Sequence, residues 1–101
     1  MTPVSRPWTF LSNHGHVVVL IAREPGIRLS ELAERVGITE RAVRSIVRDL
    51  EAGGYLERER VGRRNRYEIH PEGRLRHPEE STAAVSDLLR IFQPHDEPDD
   101  T

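Results

Sequence analysis

Residues 27–56, "IRLSELAERVGITERAVRSIVRDLEAGGYL", decide the fold. Ser30 precedes "ELAERVG" and Thr39 precedes "ERAVRSIVRDLEAGG". Each hydroxyl is suited to accept from a free amide at a helix start, and each is followed by a glutamate that favours the positive end of the helix dipole. Leu29, Leu32, Ala33 and Val36 recur at helical spacing, and so do Val43, Ile46, Val47 and Leu50. Gly37 and Gly53-Gly54 stand where these two periodic segments end. The pattern predicts two helices joined by about three residues, the connection of a helix-turn-helix.

Upstream lies "SNHGHVVVLIAREPG", residues 12–26. Valine and isoleucine favour strands, so composition leaves this segment ambiguous. Its borders favour a helix over about residues 13–23, because Ser12 or Asn13 caps one end and Pro25-Gly26 stops the other. Residues 1–11, with Pro3, Pro7 and Trp8-Thr9-Phe10-Leu11, read as an extended arm with an apolar end.

Downstream, "YLERERV" and "RYEIH" alternate apolar and charged residues around Gly62-Arg63-Arg64-Asn65. That is a β-hairpin pattern, starting at Tyr55 and Leu56 and placing Arg63, Arg64 and Arg66 at the tip. A short third strand over residues 27–29, pairing with the hairpin, is an expectation from the fold and not from the residue pattern. Residues 71–78 read as a loop. In "EESTAAVSDLLRIF", Ala84, Val85, Leu88, Leu89 and Phe92 form one stripe of a further amphipathic helix. The expected fold class is α+β and mostly helical: a three-helix core, a β-hairpin and an additional C-terminal helix. Residues 1–11 are the arm, 12–76 the helix-turn-helix with its hairpin, 77–93 the terminal helix, and 94–101 a disordered acidic tail.

A chain of 101 residues makes one domain. Its apolar fraction of 36% is low and its charged fraction of 32% is high, which implies a small core and stability shared with a partner subunit. The lack of cysteine excludes disulfides and thiolate metal sites. The run from Val17 to Ala22 is too short to span a bilayer, and no signal-peptide core follows the first residues. A soluble, cytoplasmic protein with no membrane association is expected.

All 15 basic residues are arginine, the side chain that forks onto phosphate and guanine. The net charge of −2 is unevenly spread, because four of the 17 acids lie in residues 94–101. Residues 58–66 carry five arginines and only Glu59 as an acid.

On the helix beginning after Thr39, Val43, Ile46, Val47 and Leu50 share one side. Arg41, Arg44, Ser45 and Arg48 lie about 160° away on the other. One stripe anchors the helix while the other offers three cations, a geometry suited to reading a major groove. The bland alternative is a solvated face, with Glu40, Asp49 and Glu51 pairing with the neighbouring arginines. The adjacent basic hairpin favours nucleic acid. The candidate contacts are Thr39, Arg41, Arg44, Ser45 and Arg48 on the helix, with Arg60, Arg63, Arg64, Asn65 and Arg66 on the hairpin. Arginines crowded at a tip repel one another, and phosphates neutralise them. Asn65 serves either as a turn residue or as a base contact.

No Ser/His/Asp arrangement, phosphate-cradling glycine loop or paired catalytic carboxylate appears, so no enzymatic activity is expected. His14 and His16 point to different sides of a helix, and no metal site or cofactor is expected. The terminal stripe of Val85, Leu88, Leu89 and Phe92 either folds back on its own core or pairs with a second subunit. A homodimer is the expectation, with Trp8, Phe10 and Leu11 helping to cover the stripe.

Leu32-Ala33, Gly37-Ile38 and the run from Val43 to Ile46 resemble the helix-turn-helix signature. "GYLERERVGRRNRYEIHPEG", residues 54–73, resembles the wing of winged helix-turn-helix transcriptional regulators of the MarR and ArsR type. The resemblance covers about residues 12–76. It implies a prokaryotic double-stranded-DNA-binding regulator, commonly homodimeric, whose reading helix is residues 39–50 and whose wing is residues 58–66. MarR-type proteins usually carry longer helical additions at both ends, and ArsR-type metal sensors use cysteine ligands that this chain lacks. The rival reading is a winged-helix protein-interaction module whose arginine face is merely solvated.

Overall fold

The computed structural model describes residues 7–92, so the acidic segment 94–101 and the start of the arm lie outside the described residues. The elements run α1 (Asn13–Arg23), α2 (Leu29–Val36), α3 (Glu40–Ala52), β1 (Leu56–Val61), β2 (Arg64–Ile69) and α4 (Val85–Phe92). This is the winged helix, three helices and a hairpin, with an additional C-terminal helix.

Local capping explains two of the helix starts. The Ser12 hydroxyl accepts from the Gly15 amide at 3.2 Å, and the Thr39 hydroxyl from the Ala42 amide at 3.0 Å. The valine run of α1 is helical despite its strand preference, because Val17, Val18, Val19 and Ile21 are all buried there. Burial of each such side chain contributes about 1.5–3 kcal/mol, which outweighs a propensity difference of a few tenths.

The start of α2 departs from the expected one. Ser30 is not the cap; the helix begins at Leu29, and Arg28 precedes it. The Leu32 amide already reaches the Arg28 carbonyl at 3.0 Å, and the Glu31 carboxylate accepts from the Arg28 amide at 3.5 Å. At the other end Gly37 has φ 87, and Gly37 and Ile38 both donate to the Ala33 carbonyl, at 2.8 and 3.0 Å. This left-handed residue turns the chain toward Thr39 within three positions.

No third strand forms among the described residues: the sheet has two strands. Leu29 is drawn into α2, and Ile27 is held in a turn by its 2.9 Å bond to the Glu24 carbonyl. What survives of the expected pairing is one bond on the outer edge of β2, from the Tyr67 amide to the Pro25 carbonyl at 3.0 Å.

The antiparallel register runs from Leu56↔Ile69 to Val61↔Arg64, so the hairpin loop is only Gly62 and Arg63. Gly62, with φ 64, supplies the positive φ that a two-residue loop requires at its first position. Arg64, Asn65 and Arg66 therefore belong to β2 and not to the tip, where they were expected.

The core joins the buried faces of α1, α2 and α3 to Leu56 and Tyr67 of the hairpin and to Val85 and Leu89 of α4. Val85 and Leu89, expected on a dimer-facing stripe, are thus buried in their own chain, at 4% and 7% exposure. The loop after the hairpin fixes α4 in place: the Val85 amide donates to the Gly73 carbonyl at 2.7 Å and the Ser86 amide to the Pro71 carbonyl at 3.0 Å. Among the described residues no helix is long and apolar enough to cross a membrane.

Candidate nucleic-acid interface

The packing of α3 sets its charged side. Val43, Ile46, Val47 and Leu50 are buried, and Arg41, Arg44, Ser45 and Arg48 are all exposed. Thr39 stands at the start of this face, with its hydroxyl committed to the Ala42 amide. The three acids of α3 each have a partner, and two of these lie off the helix. Asp49 meets Nε2 of His14 at 2.8 Å, and Glu51 meets Nε of Arg58 at 3.6 Å. Only Glu40 turns to an arginine of α3, reaching Arg44 at 3.6 Å. Arg41 and Arg48 are thus without a carboxylate partner among the described residues.

The wing distributes its arginines unevenly. Side chains alternate along a strand, so Arg58 and Arg60 share the side of Leu56, while Asn65 shares the side of Tyr67 that faces the core. Arg64 and Arg66 fall on the opposite side. Arg63 stands exposed in the loop. Arg60 donates through Nε to the Gly62 carbonyl at 3.4 Å, and Arg64 donates through Nη2 to the Gly26 carbonyl at 2.7 Å.

Two hollows join α3 to the wing. One, of ≈ 530 Å³, is lined by Arg28, Leu29, Ser30, Glu40, Arg63, Arg64, Asn65 and Tyr67 among others. The second is lined by Leu29, Arg44, Val47, Arg48, Glu51, Arg58 and Tyr67. Leu29 and Tyr67 line both, so the two hollows adjoin as a trough bordered by Arg44 and Arg48 of α3 and by the loop end of the wing, while Arg41 lines neither. Tyr67 lies at the centre of the trough, at 4% exposure. Burial pushes its hydroxyl pKa up; Glu51 adds to the rise, and Arg58 and a hydrogen bond with Asn65 oppose it.

The structure brings together Arg44, Arg48, Arg63, Arg64 and Asn65 of the expected residues around this trough. Thr39, Arg41, Ser45, Arg60 and Arg66 line neither hollow. Arg66 lines another hollow with Glu59, Ile69 and Leu89, to which α3 contributes no residue. Two arginines of the trough were missed. Arg28 was hidden by reading residues 27–29 as a strand, and Arg58, though placed in the wing, was passed over as a contact. Its alternation with Arg60 along β1 was the signal that it shares that face.

A helix-turn-helix whose second helix exposes arginines, flanked by a basic hairpin, defines a winged-helix DNA-binding protein. The family model described as MarR family matches residues 9–66. The chain belongs to the MarR family, a family of DNA-binding transcriptional regulators. Of the two types it resembles, this match falls on the MarR side. Comparison with curated proteins gave no match.

Proposed function

We propose that this protein regulates transcription as a homodimer that binds double-stranded DNA sequence-specifically. The second helix of its helix-turn-helix lies in the major groove and its wing lies along the backbone. The observation that supports this reading most is that, among the described residues, Arg41 and Arg48 have no carboxylate partner while the acids of α3 are drawn to His14, Arg58 and Arg44. A free guanidinium on a groove-sized helix grips O6 and N7 of guanine with two bonds, worth about 1–3 kcal/mol of discrimination. Arg44 is held loosely by Glu40 and exchanges that contact for DNA. Thr39 and Ser45, on the same face, add hydroxyl contacts. Arg63 at the loop, with Arg60 beside it, meets phosphates and sets affinity rather than sequence.

The dimer reading rests on what remains exposed. Trp8 and Phe10, in a T-shaped contact at 5.1 Å, are 77% and 91% exposed. Phe10, Leu11 and Leu88 line one apolar hollow between the arm and α4, and Ile91 and Phe92 at the end of α4 are also exposed. With Val85 and Leu89 committed to the core, these residues are the dimer surface of the proposal. Two reading helices on one body span half-sites about 10 base pairs apart.

The test is titration of the chain with a random duplex pool followed by sequencing of the bound fraction, beside sedimentation at micromolar concentration. Enrichment of a two-fold symmetric site and a dimeric mass are expected. A bound pool no different from the input rejects sequence-specific reading, and a monomeric mass rejects the dimer.

A further inference from the structure

We infer that Arg64 is a positioning residue that latches the wing to the helical body, and that it does not contact phosphate. The inference rests on the proposed DNA-binding role for its functional consequence. Arg64 opens β2, and its Nη2 donates to the Gly26 carbonyl at 2.7 Å across 38 residues of sequence. Three positions along the same strand, the Tyr67 amide donates to the Pro25 carbonyl at 3.0 Å. Consecutive carbonyls of the α1–α2 connection therefore receive two bonds from one edge of the wing. The first bond comes from a side chain and the second from the backbone. The guanidinium takes the place of the ladder bond that a third strand would have made.

The position of this bond gives it leverage. Two-stranded ribbons are marginal by themselves. Toward the base of the wing, Leu56 and Tyr67 are buried in the core, and Arg58 reaches Glu51 of α3 at 3.6 Å. Toward the loop, Arg60 bonds among the described residues to the Gly62 carbonyl, within the wing itself. Among the described residues Arg64 is the one hydrogen bond or ion pair that joins the loop half of the wing to the rest of the molecule. Arg63 is its neighbour in sequence. A wing free to pivot at Tyr67 carries Arg63 through an arc at the end of four residues, roughly 13 Å of strand. Holding the wing still before DNA arrives removes an ordering penalty from binding.

The experiment compares R64A, R64K and R63A in the full chain by two measurements. Amide exchange in the free protein reports the latch directly, because the Tyr67 amide donates to Pro25 beside it. Duplex affinity over a range of salt reports phosphate contacts, each of which adds about 0.9 to the slope of log K against log salt. In R64A the Tyr67 amide exchanges about tenfold faster, the scale of one lost charge-assisted hydrogen bond. Its affinity falls by a similar factor at every salt concentration with the slope unchanged, and R64K restores both. In R63A exchange stays as in the wild type and the slope drops by about 0.9. Wild-type exchange at Tyr67 in R64A overturns the inference, and so does a salt slope reduced as in R63A. Should the wild-type chain bind no duplex, the DNA-binding reading fails while the exchange measurement still decides the latch.

Discussion

Nε2 of His14 on α1 stands 2.8 Å from Oδ2 of Asp49 on α3, so the first helix takes up an acid from the helix that presents the arginines. The pair is open to water, with the two side chains 47% and 60% exposed, which limits its effect on stability. His14→Ala is expected to lower the unfolding free energy by about 0.5 kcal/mol in urea titrations. It also removes the hydrogen-bond partner of Asp49 next to Arg48 in the chain, which frees the carboxylate to turn to Arg48, so duplex affinity falls as well. An unchanged affinity would show that Asp49 lies outside the interface.

Arg41 and Arg48, without a carboxylate partner among the described residues, are the residues on which base discrimination is expected to rest. Arg48→Ala or Arg41→Ala removes about 1–3 kcal/mol of preference at one base position of the selected site and leaves the other positions unchanged. Arg44→Ala does the same more weakly, because Glu40 already holds its guanidinium at 3.6 Å. Competition binding with single-base variants of the site measures this. Uniform loss over all variants assigns the residue to phosphate.

The turn between α2 and α3 depends on backbone shape alone. A Cβ added at Gly37 would meet nothing within 4 Å, yet its φ is 87. Gly37→Ala is therefore expected to destabilise by about 1 kcal/mol through left-handed strain and not through a clash. Gly26 has equal space around it and no such φ. Gly26→Ala is expected to be neutral or to stabilise by about 0.4–1 kcal/mol, since it restricts the unfolded chain. Thermal melts of the two variants side by side separate these outcomes.

Tyr67 makes stability fall in alkali. Its hydroxyl is neutral when protonated, and burial raises its folded pKa above the ordinary value of 10.0. The folded state thus holds the proton more tightly than the unfolded one. The contribution is full below pH 10 and is lost as the pH climbs through the folded value. Urea midpoints at pH 8 and pH 11 are expected to differ less for Tyr67→Phe than for the wild type. An equal difference would mean that the hydroxyl is no more buried than in the unfolded chain.

How much of this was legible beforehand follows from the range of the interactions. The bounds of α1 and the cap of α3 were readable because Ser12 and Thr39 act on amides three residues away and the apolar period repeats within the segment. The hairpin was readable from its alternation. Its loop length was not, and the two-residue turn moved Arg64, Asn65 and Arg66 off the tip. The start of α2 failed for a related reason: a good cap at Ser30 lost to a helix that already included Leu29.

Side-chain partners lay furthest out of reach. His14 and Asp49 are 35 residues apart, and Arg64 and Gly26 are 38 apart. Nothing in either neighbourhood names the other. The same holds for the terminal stripe, whose period marked it as apolar on one side but left open what would cover it. Val85 and Leu89 joined the core of their own chain, where α4 packs on α1, while Phe92 at the helix end stayed exposed. Hydrogen-bonded caps and helical periods are settled between near neighbours, so the amino-acid order alone was enough to place the helices and the hairpin. Which arginine is free, which is latched and which acid is removed from the face depends on segments that meet only after the chain has packed.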